Sequence, residues 1–211
     1  MRYQKKTAQQ SYDFIEHYEI IFMAVFVILV ILLVLYIVHE NYRRDQELMK
    51  YAQTDALTGL YNKETTKLRT DEILSTDKDM IHAFLILDMD CFKQINDGYG
   101  HAVGDIVLQK FGQLLRDIFR EDDIVGRIGG DEFVVVMKNI KMKEMAIAKA
   151  EELLTKTQQY EIKELNGSAI SISIGIAMAP EDGDCYMDLY KRADQALYQA
   201  KRSGKARVCG Y

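Results

Sequence analysis

One uninterrupted apolar run, Ile20–Val38, constrains this chain more than any other feature. About 19 helical residues at 1.5 Å each reach nearly across the ~30 Å hydrocarbon layer of a membrane. No second segment of that length is present to cover it as a core helix. A cleaved leader would carry a shorter apolar stretch and a small-x-small cleavage site. Here His39-Glu40-Asn41-Tyr42 follows instead. Tyr12, Tyr18, Tyr36 and Tyr42 stand near the two ends, where amphipathic rings favour the membrane interface. The reading is a short tail over 1–19 and one membrane-spanning helix over 20–38. Basic residues lie on both sides, Arg2, Lys5 and Lys6 before the run and Arg43, Arg44 and Lys50 after it. The arginine pair is the closer group. That favours a single-pass protein of the cell (inner) membrane with its C-terminal part in the cytoplasm.

No glycine or proline occurs between His39 and Leu57, so a helical linker is expected over 39–54. Its apolar stripe, Leu48, Tyr51 and Ala52, is short. A solvated spacer and a weak parallel dimer contact both fit it. Residues 55–211 are then enough for one domain. A net charge of −5 and a pI near 5.5 argue against a nucleic-acid partner, which would call for a basic face. Cys91, Cys185 and Cys209 are widely spaced and form no zinc motif or disulfide framework. They suit a reduced cytosolic compartment.

Within the domain, Thr54-Asp-Ala-Leu-Thr-Gly-Leu60 marks the boundary, and Asn62 is placed to cap a helix from Lys63 to about Leu74. Ile81–Leu87 reads as a buried strand running into Asp88-Met89-Asp90. A polar, glycine-bearing stretch follows, and then a helix from near Gly104 to about Phe119. Its apolar face carries Val107, Leu108, Phe111, Leu114, Leu115 and Ile118. Ile124-Val125 and Val134–Met137 read as two strands of a hairpin. Gly129-Gly130 lies at its tip, and a type I′ turn with φ > 0 at both glycines is expected there. A helix over Met142–Tyr160 with Met145, Ile147, Ala148, Leu153 and Leu154 on its apolar face comes next. An alternating strand over Ala169–Ile176, a last helix over Tyr186–Ser203 and a final edge strand at Val208-Cys209 complete the order. This is an α/β (α+β) layout: a mainly antiparallel, ferredoxin-like or palm-type sheet flanked by helices, like a split βαβ.

The chemistry-bearing residues sit at the ends of these elements. Asp131 and Glu132 are adjacent acids beside bare Gly129-Gly130 backbone, which a bulky ligand can approach closely. An ordinary solvated turn would explain them, and so would a bound cation. Asp88, at the end of a buried strand, is costly unless compensated. It can cap the next helix, or it can join Asp131 around an octahedral Mg²⁺ completed by phosphate oxygens and water. Asn96 and Asp105 flank the polar stretch. Asp105 would be a bland charge in the first turn of a helix, or it would accept the N1–H and N2–H₂ donors of guanine.

Taken together, the blocks resemble the GGDEF domain of diguanylate cyclases from Asp55 to about Arg207. They are Asp55-x-Leu-Thr-Gly-Leu60, Asp88-x-Asp-x-Phe-Lys-x-Ile-Asn-Asp97, Gly100-His-x-x-Gly-Asp105, Arg127-x-Gly-Gly-Asp-Glu-Phe133, Ser173-Ile-Gly175 and Ala193-Asp-x-Ala-Leu-Tyr-x-Ala-Lys201. The resemblance implies condensation of two GTP into cyclic di-GMP with release of two pyrophosphates, by a homodimer. It implies that Asp88, the Met89 carbonyl, Asp131 and Glu132 hold Mg²⁺ (or Mn²⁺), and that Asp131 helps deprotonate the 3′-OH. Asn96 and Asp105 would bind guanine. Lys93, His101, Lys201 and Lys205 would surround the triphosphate or ribose, beside Gly129 and Gly130. Lys205 replaces an arginine common at its position, keeping the charge and losing the bidentate fork. Arg120-x-x-Asp123 matches the spacing of a product-inhibition site for cyclic di-GMP. The helix over Met142–Tyr160 supplies Lys143, Lys149 and Lys156 but no second arginine to that site. A non-catalytic membrane receptor for GTP or cyclic di-GMP is the alternative function.

Overall fold

The computed structural model describes residues Phe22, Met23, 25–43, 53–167 and 169–211. The chain divides into two compact units, Met1–Lys50 and Tyr51–Tyr211. In the first, helix α1 runs Val25–Arg43. Its apolar side chains are exposed, with Phe26 at 55%, Leu29 at 58% and Leu35 at 59%. The helix passes beyond Val38, as a glycine- and proline-free sequence should. Ile20, Ile21 and the linker from Arg44 to Ala52 lie outside the described residues.

The second unit is a five-stranded sheet between two helical layers. Its elements are α2 (Lys63–Thr76), β1 (Ile81–Met89), α3 (Phe92–Tyr99), α4 (His101–Ile118), β2 (Ile124–Arg127), β3 (Glu132–Ile140), α5 (Lys143–Gln159), a short 3₁₀ turn, β4 (Ile172–Ala179), α6 (Tyr186–Arg202) and β5 (Val208–Gly210). The strand order is β2-β3-β1-β4-β5. β1 pairs antiparallel with both β3 and β4, whereas β5 joins the edge parallel to β4. The expected mixed, mainly antiparallel sheet is therefore present.

Two cores fill the two faces. On one, Leu85, Leu87, Phe133, Val135, Ile174 and Ile176 pack against Val107, Phe111 and Leu115 of α4 and Leu153 of α5. On the other, Phe84, Ile86, Val134, Val136 and Ala177 pack against Leu189, Ala193 and Leu197 of α6. At ~25 cal/mol per Å² of apolar surface, burying both faces of the two central strands is the main drive for this arrangement.

Several boundaries shift from the sequence reading, each for a physical reason. Asn62 does cap α2, its side chain accepting the Thr65 N–H at 3.0 Å. α4 starts at His101, not near Gly104, because the break falls at Gly100, whose φ of +87° ends α3. β4 covers Ile172–Ala179, three residues later than expected, and is buried along its whole length. Its alternation is large against small, not apolar against exposed. Ile172, Ile174, Ile176 and Met178 fill the α4–α5 core, and Ser173, Gly175, Ala177 and Ala179 make a thin floor beneath α6. A Cβ at Gly175 would collide with the Ala193 carbonyl and the Leu197 backbone, so α6 rests directly on that strand. The buried face of α5 is Ala146, Ala150, Leu153 and Thr157, and the expected Ala148 is exposed. Small residues let α5 lie close to the sheet, which displaces the contact from the bulkier positions.

Candidate active site

The antiparallel β1–β3 ladder places Asp88 directly opposite Glu132. Phe133, the next residue, is fully buried and stands edge-to-face with Phe111 of α4, ring centroids 5.0 Å apart. Neighbouring strand residues point to opposite faces. Anchoring Phe133 on the α4 side therefore turns Glu132 toward α6. Leu87 lies in the α4–α5 core and turns Asp88 the same way. From α6, the Lys201 Nζ reaches an Asp88 oxygen at 2.7 Å. Asp131, one residue ahead of β3, accepts the Met89 N–H on its carbonyl at 3.2 Å. Asp88, Asp131, Glu132 and Lys201 thus meet at one end of the two central strands.

Opposed like charges destabilise a strand pair, and the site shows it. Burial, followed by the neighbouring Asp131 and Asp90, pushes the Asp88 carboxyl up, against the pull of Lys201. Burial and then repulsion from Asp88 and Asp131 push Glu132 up as well, again opposed by Lys201. Among the described residues only Lys201 stands at ion-pair distance, which leaves three carboxylates under-compensated. Such a donor set fits a hard divalent cation, which binds carboxylate and carbonyl oxygens. The Met89 thioether is too soft a ligand for such a cation, so only its backbone carbonyl is chemically suited to take part.

The hairpin tip differs from expectation. Gly129 and Gly130 are absent from the positive-φ residues, so the connection Ile128–Asp131 is not a type I′ turn. It is held from outside. Arg127 donates through Nε and Nη2 to the Gly130 carbonyl at 3.1 and 2.8 Å, and through Nη1 to both Asp55 oxygens at 3.0 and 3.2 Å. Burial alone would raise Asp55. Hydrogen bonds from Thr58 and then Arg127 outweigh it and hold the carboxyl below its ordinary range. The glycines serve by being bare: nothing stands within 4 Å of where a Gly130 Cβ would be, and a Gly129 Cβ would press on the Glu132 carboxylate.

Asp90 was legible only as part of a motif. It is 9% exposed and accepts the Ser171 and Ser173 hydroxyls at 2.6 and 2.8 Å and the Ala206 N–H at 3.1 Å. It thereby ties the end of β1 to β4 and to the α6–β5 loop. That loop carries Lys205, whose Nζ lies 3.2 Å from the Cys91 Sγ. Asp88 and Asp90 also act on the Lys205 ammonium. Cys91, Lys205 and Ala206 all hold positive φ, at +60°, +61° and +48°. Such strain in non-glycine residues persists only where surrounding contacts enforce it.

Asn96 and Asp105 are carried on the adjoining helices α3 and α4. A Cβ at Gly104 would overlap the Asn96 amide, so the two helices meet there with nothing between. Because α4 begins at His101, Asp105 stands in its second turn, and a charge–dipole role in the first turn no longer accounts for it. Lys93 and His101 stand exposed in the first turns of α3 and α4. Arg120 and Asp123 lie apart, between α4 and β2. Asp123 is 8% exposed and accepts the Arg120 and Lys138 N–H groups at 3.0 Å each, so it braces its own turn and β3. Roles for Asp55, Asp90, Arg127 and Ser173 beyond their motifs escaped the sequence reading, because each depends on a partner about 70 or more residues away in sequence.

Known proteins resemble this chain in sequence and fold. The family described as "Diguanylate cyclase, GGDEF domain" matches residues 52–207. Diguanylate cyclase DgcS of Shewanella oneidensis is 36% identical over 168 residues, 78% of this chain and 55% of that protein. Response regulator PleD of Caulobacter vibrioides is 36% identical over 168 residues, 77% of this chain and 37% of that protein. This chain therefore spans about half or less of the length of these curated relatives. The coiled coil and GGDEF domain of DgcB from Caulobacter crescentus, solved in complex with c-di-GMP, superposes with a TM-score of 0.76 at 25% identity, covering 82% of this chain and 93% of that one. The chain belongs to the diguanylate cyclase GGDEF domain family.

Proposed function

We propose that this protein condenses two GTP molecules into cyclic di-GMP and two pyrophosphates, as a membrane-anchored homodimer using Mg²⁺ or Mn²⁺. The observation that carries this reading is the meeting of Asp88, Asp131 and Glu132 with Lys201 at one end of β1 and β3. A family member retaining only a packed or receptor role has no need of three crowded carboxylates.

The residues divide the work. Asp105 and Asn96 receive the guanine edge, where a carboxylate selects the adjacent N1–H and N2–H₂ donors that adenine lacks. Lys93, His101, Lys201 and Lys205 supply donors and positive charge to the triphosphate or ribose, and the open face at Gly129 and Gly130 admits it. Asp88, the Met89 carbonyl, Asp131 and Glu132 would hold the divalent cation, which when bound neutralises phosphate charge. Asp131 takes the proton of the attacking 3′-OH. The 3′-oxygen forms its bond to the α-phosphorus of the other nucleotide, and the bond to the β-phosphate oxygen breaks, releasing pyrophosphate. Two such transfers close the ring. With one set of these residues per chain, two copies must face each other, and α1 raises their local concentration. Arg120 would bind a phosphate or base of the product, over the turn that Asp123 braces, and so restrain turnover.

The test is the full chain in detergent micelles with GTP and Mg²⁺, product being followed by chromatography. Cyclic di-GMP is expected. Asp131→Asn should fold with an unchanged circular dichroism spectrum and lose roughly a thousandfold or more in turnover, as removal of charge stabilisation plus a general base does. Wild-type protein that binds GTP yet yields no product would instead identify a receptor.

A further inference from the structure

A cleft of about 600 Å³ opens on the outer side of α6, between that helix and the tip of β3. Glu132 and Lys201, both in the cluster described above, form its inner end; Asp194, Gln195, Tyr198 and Arg202 are among the residues that line the rest. The residues assigned to the reaction leave this outer part without a role. Tyr198 is 60% exposed, a large aromatic surface left in water. The Arg202 guanidinium lies over its ring, 5.7 Å from the centroid.

Charge decides which end of a nucleotide such a cleft suits. Glu132 and Asp194 balance Lys201 and Arg202, so no net positive charge is available for a triphosphate. A nucleoside end is neutral and offers a π face, and an aromatic ring beside a guanidinium is a stacking surface for a base. The chain's own guanine position, at Asn96 and Asp105, is carried on α3 and α4 and not on α6. The reaction needs a second nucleoside whose 3′-OH arrives at the Asp88–Lys201 end, and the cleft begins at that end.

Resting on the cyclase reading, we propose that the α6 cleft is a trans subsite. It receives the ribose and the exposed guanine face of the GTP carried by a second copy of this chain, with Tyr198 and Arg202 as the stacking surface. Tyr198 and Arg202 then position the attacking nucleotide without contributing to binding of the chain's own GTP.

The test uses the full chain in micelles and the variants Tyr198→Ala, Arg202→Ala and Tyr198→Phe, with turnover and equilibrium GTP binding measured on each. Tyr198 and Arg202 are exposed, so their truncation leaves the core intact, and unchanged melting temperatures verify this. Turnover of Tyr198→Ala and Arg202→Ala should fall between about fivefold and a hundredfold, the range produced by losing one aromatic–base stack. GTP affinity should stay within twofold, and Tyr198→Phe should keep most of the activity. In mixtures of wild type with Tyr198→Ala, one of the two bonds still forms in each mixed pair, so linear pppGpG should accumulate. Turnover of both alanine variants within twofold of wild type overturns the subsite. A loss of GTP affinity parallel to the loss of turnover overturns it as well, since it would place Tyr198 in the chain's own GTP site. Absence of product from wild type defeats the cyclase reading itself, a different result from either.

Discussion

At the scale of single residues, this domain spends stability to concentrate negative charge. Glu132 faces Asp88 across the β1–β3 ladder, with its carboxyl pushed up by burial and by the acids beside it. A raised carboxyl means that the folded chain holds this proton more tightly than the unfolded chain does. Ionisation above the ordinary value of 4.5 therefore lowers folding stability, and the effect grows as pH rises through the folded value. Glu132→Gln should raise the melting temperature by roughly 1–3 °C at pH 7.5 in chelator, at 2–4 °C per kcal/mol for a domain of this size. The gain should vanish below about pH 4, where folded and unfolded chains are both protonated. Differential scanning calorimetry across pH reads this directly, and a variant less stable than wild type at pH 7.5 would contradict the repulsion. The motif residues themselves were legible in the sequence, since Asp88, Asp131 and Glu132 stand at strand ends. The need for Lys201 between them was not, because α6 lies about 70 residues further along the chain.

At the scale of elements, the packing of α6 on β4 sets the distance from Lys201 to Asp88. Gly175 is the contact point: a methyl group there meets backbone atoms of Ala193 and Leu197, which cannot step aside without moving the helix. Gly175→Ala should cost about 2–3 kcal/mol as an overpacked core substitution, a fall in melting temperature of roughly 4–12 °C. Turnover measured well below the new transition should fall too, because α6 carries Lys201 out with it. A variant with wild-type stability and rate would remove Gly175 from this role. The Ser173-Ile-Gly175 block reads as an alternating strand in sequence. Its physical content, Ser173 holding Asp90 and Gly175 admitting α6, exists only once β4 lies between β1 and the helix. The hairpin is the opposite case. The two strands were visible in the sequence, whereas the turn was not type I′, because Arg127 and Asp55 hold the tip from outside.

At the scale of the whole molecule, each chain carries one set of nucleotide-binding residues and one exposed cleft at the β3 tip. Activity of the proposed kind then belongs to a pair of chains. Specific activity in micelles should rise with protein concentration before reaching a plateau, and removal of residues 1–50 should move that rise to higher concentration by tenfold or more. The effect follows from losing the local concentration that two α1 helices sharing one micelle provide. Specific activity independent of concentration over a hundredfold range, in protein that sedimentation shows to be monomeric throughout, would show that a single chain suffices.

Sequence by itself determined the order of elements apart from α3, which read only as a polar stretch, together with the apolar helix and which residues carry charge at strand ends. Those features are local: hydrophobic periodicity, glycine and proline positions, and the fixed two-residue alternation of a strand. Tertiary structure alone decided that Glu132 faces Asp88 across the ladder, that Lys201 reaches Asp88 at ion-pair distance while Lys205 rests on Cys91, that Asp90 and Asp123 are braces, and that Tyr198 is left bare beside the site. Each of these depends on contacts between segments far apart in sequence, and a spacing read along the chain holds no information about which faces will be pressed together.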